Sequence, residues 1–184
     1  MKNHFIQLNI KLLILFQLLC FYSCTIPKNN SMRSTNIHVI RLKPGMDLKK
    51  SIQAYVNENN IEAGWINTCV GSLTTYNIRF ANQPKTNSDS GHYEIVSLTG
   101  TLSKNGSHLH ISISDSMGKT IGGHLAEGNI IYTTAEIVIQ SSNNFIFKRA
   151  KDGTTAWEEL QIEKQKTKII NEILSRQYAF TTRI

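Results

Sequence analysis

The sequence predicts an α+β domain that consists mainly of an antiparallel β-sheet with one packed helix. Apolar and polar residues alternate over much of the second half of the chain, which is the period of a half-buried strand. The connections between these runs carry Asn105-Gly106, Asn143-Asn144 and Asp152-Gly153, which are typical of tight hairpin turns. With 184 residues, of which 40% are hydrophobic, the chain is long enough to bury one domain core.

The first part of the domain combines a strand signal with a helix signal. Residues 37–42 are apolar and largely β-branched, which predicts a short strand that ends before Pro44-Gly45. Asp47 is placed to cap a helix over 48–59. The buried face of this helix is predicted from apolar residues at helical spacing, namely Leu48, Ile52, Tyr55 and Val56.

Most of the remaining chain is predicted to form strands. Their expected ranges are 65–70, 75–80, 93–98, 99–103, 107–114, 120–121, 130–140, 144–149 and 156–160. The polar stretch 82–90, which contains Pro84, is predicted to be a surface loop. Residues 161–184 combine aliphatic residues at helical spacing with several lysines, which predicts a C-terminal amphipathic helix.

The N-terminal segment 1–24 is predicted to be a signal peptide or a membrane anchor. Lys2 and Lys11 precede an apolar run over 12–22, which is shorter than the roughly 20 residues of a membrane span. Small Ser23 before Cys24 would permit cleavage and attachment of a lipid to Cys24, as in a bacterial lipoprotein. We therefore expect an exported protein, either secreted or held at a membrane by this segment or by a lipid. Residues 25–35 are a polar linker to a domain over 36–160.

The distribution of charge argues against a nucleic-acid partner. The formal net charge is +7, but residues 25–160 hold 13 basic and 11 acidic side chains, so the excess lies at the two ends. Nucleic-acid binding requires a clustered basic surface. The three cysteines, Cys20, Cys24 and Cys69, form neither a disulfide framework nor a metal knuckle, and Cys69 is expected to be a buried thiol.

Three of the six histidines are concentrated within residues 106–128 and predict a metal site. His108 and His110 are two residues apart in an alternating run, so both rings project from the same face of a strand. Ser-Asp-Ser-Met-Gly then predicts a turn that returns His124 to their side. Three neutral imidazoles with one open position are a ligand set typical of catalytic zinc. Gly122-Gly123 would allow a close approach of the backbone.

Several short motifs occur in an order that resembles the plants and prokaryotes conserved (PPC) domain. They cover about two thirds of the chain and are Arg41-Leu-Lys-Pro-Gly45, Gly71-Ser-Leu73, Tyr93-Glu-Ile-Val-Ser-Leu-Thr-Gly100, His108-Leu-His110, Gly122-Gly-His-Leu125 and Thr133-Thr-Ala-Glu136. The resemblance implies an antiparallel sheet with a packed helix, similar to that of acetolactate decarboxylase, assembled as a homotrimer. It also implies a divalent metal at His108, His110 and His124, as in some prokaryotic members. Plant members carry an AT-hook for A·T-rich DNA, which this sequence lacks, so the chain resembles the single-domain prokaryotic type.

These observations leave three functions open. The first is an exported, trimeric protein that binds a divalent metal, expected to be zinc, and whose activity is unassigned. The second is a metal-dependent enzyme that polarises the carbonyl of a small carbonyl or carboxylate ligand. Glu94, Glu127, Glu136 and Arg79 are its candidate proton donors or anion contacts. The third is a DNA-binding protein, which the missing AT-hook and the nearly neutral domain argue against. The sequence does not separate the first two, so it leaves open whether the protein is an enzyme.

Overall fold

The computed structural model describes residues 35–165, which form eight strands and one helix. In chain order these are β1 (Thr35–Leu42), α1 (Leu48–Glu58), β2 (Gly64–Arg79), β3 (Asn87–Ser103), β4 (Gly106–Ser114), β5 (Thr120–Leu125), β6 (Ile130–Ser142), β7 (Phe145–Ala150) and β8 (Glu159–Lys164). The predicted fold class, an antiparallel sheet with one packed helix, is confirmed. Within this described part, no helix is both long and apolar enough to cross a membrane.

Six strands form one antiparallel sheet in the order β1-β6-β2-β3-β4-β5. The end of β2 also pairs with β5, where Ile78 lies opposite Leu125 and Arg79 lies opposite His124. Strands β2, β3, β4 and β5 therefore form a closed arrangement of paired strands, in which β5 pairs with both β4 and β2. Strands β7 and β8 form a separate two-stranded antiparallel hairpin.

The core lies between the helix and one face of the sheet. Leu48, Ile52 and Val56 of α1 are completely buried, as their helical spacing predicts. Asp47 caps the helix, because its Oδ1 accepts a hydrogen bond from the Lys50 amide at 3.0 Å. Cys69 is buried in this core as expected, and its burial raises the thiol pKa to about 12.

Several strands are longer than the sequence predicts. The predicted strands 65–70 and 75–80 fall in the single strand β2, which ends at Arg79, and the predicted strands 93–98 and 99–103 belong to β3. Register shifts between the paired strands accommodate irregular positions without ending either strand. Strand β5 continues past 121 to Leu125. The predicted loop over 82–90 is wrong from Asn87 onward. From there, the main chain pairs with β2 although the side chains are polar. The main-chain hydrogen bonds of a strand pair do not require apolar side chains.

The predicted C-terminal helix is wrong where it begins, because residues 159–164 form β8 rather than a helix. Leu160 and Ile162 are two residues apart, and they lie opposite Arg149 and Phe147 of β7. Pairing with β7 satisfies the main-chain hydrogen bonds of this segment, which outweighs a local pattern that also fits a helix. The strand predicted over 156–160 accordingly starts only at Glu159. Residues 166–184 lie outside the described part, as do the predicted signal segment, Cys24 and all but the last residue of the linker.

Candidate metal centre

Strand β4 presents two histidines on the face of the sheet opposite the core. Leu109 and Ile111 are buried, so the alternation of the strand turns His108 and His110 outward, where both are exposed. Thr101 and Thr99 of β3 lie directly opposite them. The first half of the site is thus a consequence of the two-residue period of one half-buried strand.

The connection from β4 to β5 brings the third histidine back. The carboxylate of Asp115 accepts hydrogen bonds from the amides of Met117 and Lys119, both at 2.9 Å, which closes the turn as the sequence predicts. Strand β5 then pairs with β4 so that His124 lies opposite His110. Glycine is required here, since a Cβ on Gly123 would lie 2.6 Å from the Arg79 carbonyl oxygen.

The three rings form a compact group, which we call the histidine triad: His108, His110 and His124. One nitrogen from each ring lies within 4.8 Å of the others. The Nε2 atoms of His108 and His110 are 3.2 Å apart. Two imidazoles on one tetrahedral zinc, with Zn–N bonds of about 2.0–2.1 Å, place their nitrogens about 3.3 Å apart. The spacing in the triad therefore fits a shared ion of this kind.

His124 is the most enclosed member of the triad. Its Nδ1 atom is buried and has no hydrogen-bond partner within residues 35–165. A buried nitrogen without a partner is costly, and a cation bound at this nitrogen would satisfy it. The donor set and this unsatisfied atom both fit a divalent transition metal.

The electrostatic surroundings favour the neutral form of two triad members, His124 and His108. Burial, and to a smaller extent repulsion from Lys49, His108, Arg79 and His110, together lower the pKa of His124 to about 4. Partial loss of solvent around the His108 ring also lowers its pKa. Repulsion from His110, Arg149 and Arg79 lowers this pKa further, and Glu159 partly opposes the shift. Since a metal binds the neutral imidazole, these two ligands need not lose a proton near pH 7.

We expect the metal-free protein to lose stability as the pH falls from about 6.5 toward 4. The folded state holds the pKa of His124 at about 4, whereas an unfolded histidine has a pKa of about 6.5. Between these values the unfolded state binds more protons, so acid favours unfolding, and below 4 this contribution is constant. Urea midpoints measured against pH should show this loss, and a His124→Gln variant should show less of it. Identical pH profiles for both proteins would show that His124 does not cause this loss of stability.

Several charged residues surround the triad, and the sequence alone indicates only some of them. Arg79 is one of the predicted proton donors or anion contacts. It lies opposite His124, with its Cζ 5.0 Å from the centre of the Trp157 ring. Arg149 donates a hydrogen bond from Nη2 to Thr101 Oγ1 at 2.5 Å, next to His108. Arg149 and Glu159 come from the β7–β8 hairpin, and no local motif marks them.

The three candidate glutamates lie at different positions in the fold relative to the triad. Glu94 lies opposite Ser114, four residues along β4 from His110. Glu127 forms an exposed ion pair with Lys50 at 3.2 Å. Glu136 is on β6, opposite Arg41 and Val70, and β6 pairs with neither β4 nor β5. His92, a histidine on β3, packs its ring on Tyr132, with centroids 4.2 Å apart.

Comparison with known proteins identifies the family. Residues 29–143 match the Plants and Prokaryotes Conserved domain, which is more than half of the chain. The chain belongs to this family. The resemblance that the sequence motifs indicated is thereby confirmed. The β7–β8 hairpin, which supplies Arg149 and Glu159, lies beyond the matched residues.

The chain is also similar to individual proteins. It is 40% identical over 131 residues to the bifunctional protein GlmU of a Synechococcus strain, a match that covers 71% of this chain and 21% of that one. The chain thus spans about a fifth of the length of this curated relative. A hypothetical protein from Salmonella has a similar structure, with a TM-score of 0.70, 36% identity and coverage of 72% of this chain and 96% of that chain. A metal-containing protein from Archaeoglobus fulgidus has the same fold, with a TM-score of 0.60, 24% identity and coverage of 68% and 93%.

Proposed function

We propose that this protein binds one divalent metal ion, most simply zinc, through His108, His110 and His124. The observation that carries the proposal is the histidine triad, whose ligand nitrogens lie within 4.8 Å of one another. The unsatisfied Nδ1 of His124 supports it. The metal-containing relative from Archaeoglobus fulgidus adds only that this fold accommodates a metal.

Metal uptake by the full chain tests this proposal. The protein is purified in mild detergent without a polyhistidine tag, stripped with a chelator and dialysed against zinc. Elemental analysis should then find about one zinc per chain. Cobalt(II) loading gives a second readout, since its visible absorption is intense in a tetrahedral nitrogen site. A stripped protein that takes up neither ion would refute the proposal.

A catalytic role is the second candidate, and the exposure of the triad favours it. His108 and His110 are exposed, and a set of three protein ligands leaves a coordination position open. When bound there, zinc would supply a Lewis acid that polarises a carbonyl oxygen. A metal that serves only structure is more typically enclosed by four protein ligands.

We further propose that the protein assembles as a homotrimer through an apolar part of its sheet. Ile37 and Val39 of β1 are 73% and 72% exposed, and Val70 of β2 is 56% exposed. The strand register places all three on the outer face, since Val39 lies opposite Val138 and both Arg41 and Val70 lie opposite Glu136. Exposed apolar residues grouped on one sheet face are typical of an interface.

A Val39→Asp variant should lose the assembly. A charge at an apolar interface leaves an unpaired ion out of water, so we expect light scattering to give a monomer mass for the variant and three times that mass for the native chain. Met117→Asp, at an 88% exposed position in the β4–β5 turn, is the matched control and should keep the native mass. A native mass of one or two chains would refute the trimer.

We also propose that residues 1–24 direct export and that Cys24 carries a lipid. Lys2 and Lys11 precede an apolar run of signal-peptide length, and no acidic residue occurs before Asp47. Cells expressing the native chain should show it in the membrane fraction labelled by a fatty-acid analogue, and a Cys24→Ser variant should remain unlabelled. Full-length protein that keeps Met1 and stays in the cytoplasm would refute export. Equal absence of label in both would refute only the lipid.

A further inference from the structure

Two guanidinium groups flank the histidine triad from different strands. Arg79 lies opposite His124 where β2 pairs with β5, and the Trp157 ring lies against its guanidinium at 5.0 Å. Arg149 reaches Thr101, which is the residue opposite His108. The two arginines thus adjoin the triad on its His124 side and its His108 side respectively.

The charge around the triad is not balanced by carboxylates. Within residues 35–165 the three ion pairs join Lys50 to Glu127, Lys104 to Glu62 and Lys148 to Glu163, so neither arginine has a carboxylate within 4.0 Å. Lys49 adds a third cation that acts on His124. Among residues 35–165, Glu159 is the one carboxylate whose negative charge raises the pKa values of His108 and Arg149, against the lowering by burial. A divalent ion on neutral histidines would add to this positive excess, so the site attracts an anion.

The stacking of Arg79 on Trp157 favours a carboxylate. An indole on one face of a guanidinium holds its plane, and the N–H groups at its edge remain free to donate. Such a fixed fork matches the two oxygens of a carboxylate. Trp157 is itself 61% exposed, so the stacked pair lies at the surface where a small ligand can reach it.

We propose that the surface beside the histidine triad binds the carboxylate of a small organic acid, with Arg79 as its anchor and Trp157 as the support that orients it. This proposal rests on the metal site of the proposed function, because the same ligand would lie between Arg79 and the ion. Arg149 contributes charge from the other side and keeps its hydrogen bond to Thr101.

Pyruvate is a suitable probe, since its carboxylate adjoins a carbonyl, and pyruvamide is its uncharged counterpart. The zinc-loaded full chain carries Trp65→Phe, so that its fluorescence reports Trp157, which contacts Arg79. We expect pyruvate to change this fluorescence in a saturable way, and pyruvamide to bind at least tenfold more weakly. Arg79→Gln should weaken pyruvate binding at least tenfold, and Arg79→Lys should have a smaller effect. Zinc content is measured on every sample.

A matched control removes one positive charge elsewhere. Lys119→Gln lies in the exposed β4–β5 turn and should leave the affinity for pyruvate unchanged. Zinc-loaded Arg79→Gln that binds pyruvate as tightly as its parent would overturn the carboxylate site and leave the metal site intact. Equal losses in Arg79→Gln and Lys119→Gln would also overturn it, since they indicate only a general charge effect. Failure of the parent to take up zinc would overturn the proposed function and this inference together.

Discussion

A Gly100→Ala variant is expected to be destabilised by about 3 kcal/mol or more, because the fold leaves no room for a side chain at this position. A Cβ on Gly100 would lie 2.0 Å from the carbonyl oxygen of His108 and 2.9 Å from the Cα of Leu109. Both contacts are to the backbone of β4, which cannot move without disturbing its pairing with β3. The φ angle of +142° is a second obstacle to an L-residue. Urea unfolding followed by circular dichroism measures the loss.

Gly118→Ala separates the two contributions. Gly118 also has a positive φ, +79°, but nothing lies within 4 Å of a Cβ placed there. This variant should lose only the conformational term, about 1 kcal/mol. Equal losses in the two variants would show that the close approach of β3 and β4 is not what requires glycine at 100. The comparison bears on the site, because the same strand pairing positions His108.

The triad could be foreseen from sequence because the interactions that build it are local. His108 and His110 share a face through the period of one strand, and the turn from Asp115 to Gly118 is specified by residues that bond their own backbone. His124 follows six residues after that turn, and pairing of adjacent strands places it. No contact distant in sequence is needed to bring these three rings together.

The charged surroundings could not be foreseen because they depend on distant contacts. Arg149 reaches Thr101 across 48 residues of sequence, and Trp157 reaches Arg79 from the loop between β7 and β8. The sequence-based prediction for the hairpin that carries Arg149 is itself wrong in part, since Leu160 and Ile162 fit a strand as well as the start of a helix. A pattern of five or six residues is ambiguous in this way, and pairing with another strand decides it.

Removing single histidines of the triad is expected to have the largest effect on metal binding. Each ring supplies one of only three protein ligands, so His108→Ala, His110→Ala and His124→Ala should each weaken zinc binding by more than about 100-fold. Loss of a mere supporting hydrogen bond already costs about 10–100-fold. At zinc concentrations well above the dissociation constants of both proteins, a 100-fold weaker affinity removes about 2.7 kcal/mol of metal-linked stability. Competition with a chromophoric chelator measures the affinity, and thermal unfolding with and without zinc measures the linked stability.

His92→Ala is the matched control for these variants, because His92 is an exposed histidine on β3 that packs on Tyr132 and lies outside the triad. It should keep the native zinc affinity and the full zinc-induced rise in melting temperature. The metal-free His108→Ala and His110→Ala variants should melt close to the metal-free native protein, since these two side chains are exposed and contribute little packing. A triad variant that binds zinc as well as His92→Ala does would contradict a shared three-histidine ion, because no single ligand of such a set is dispensable.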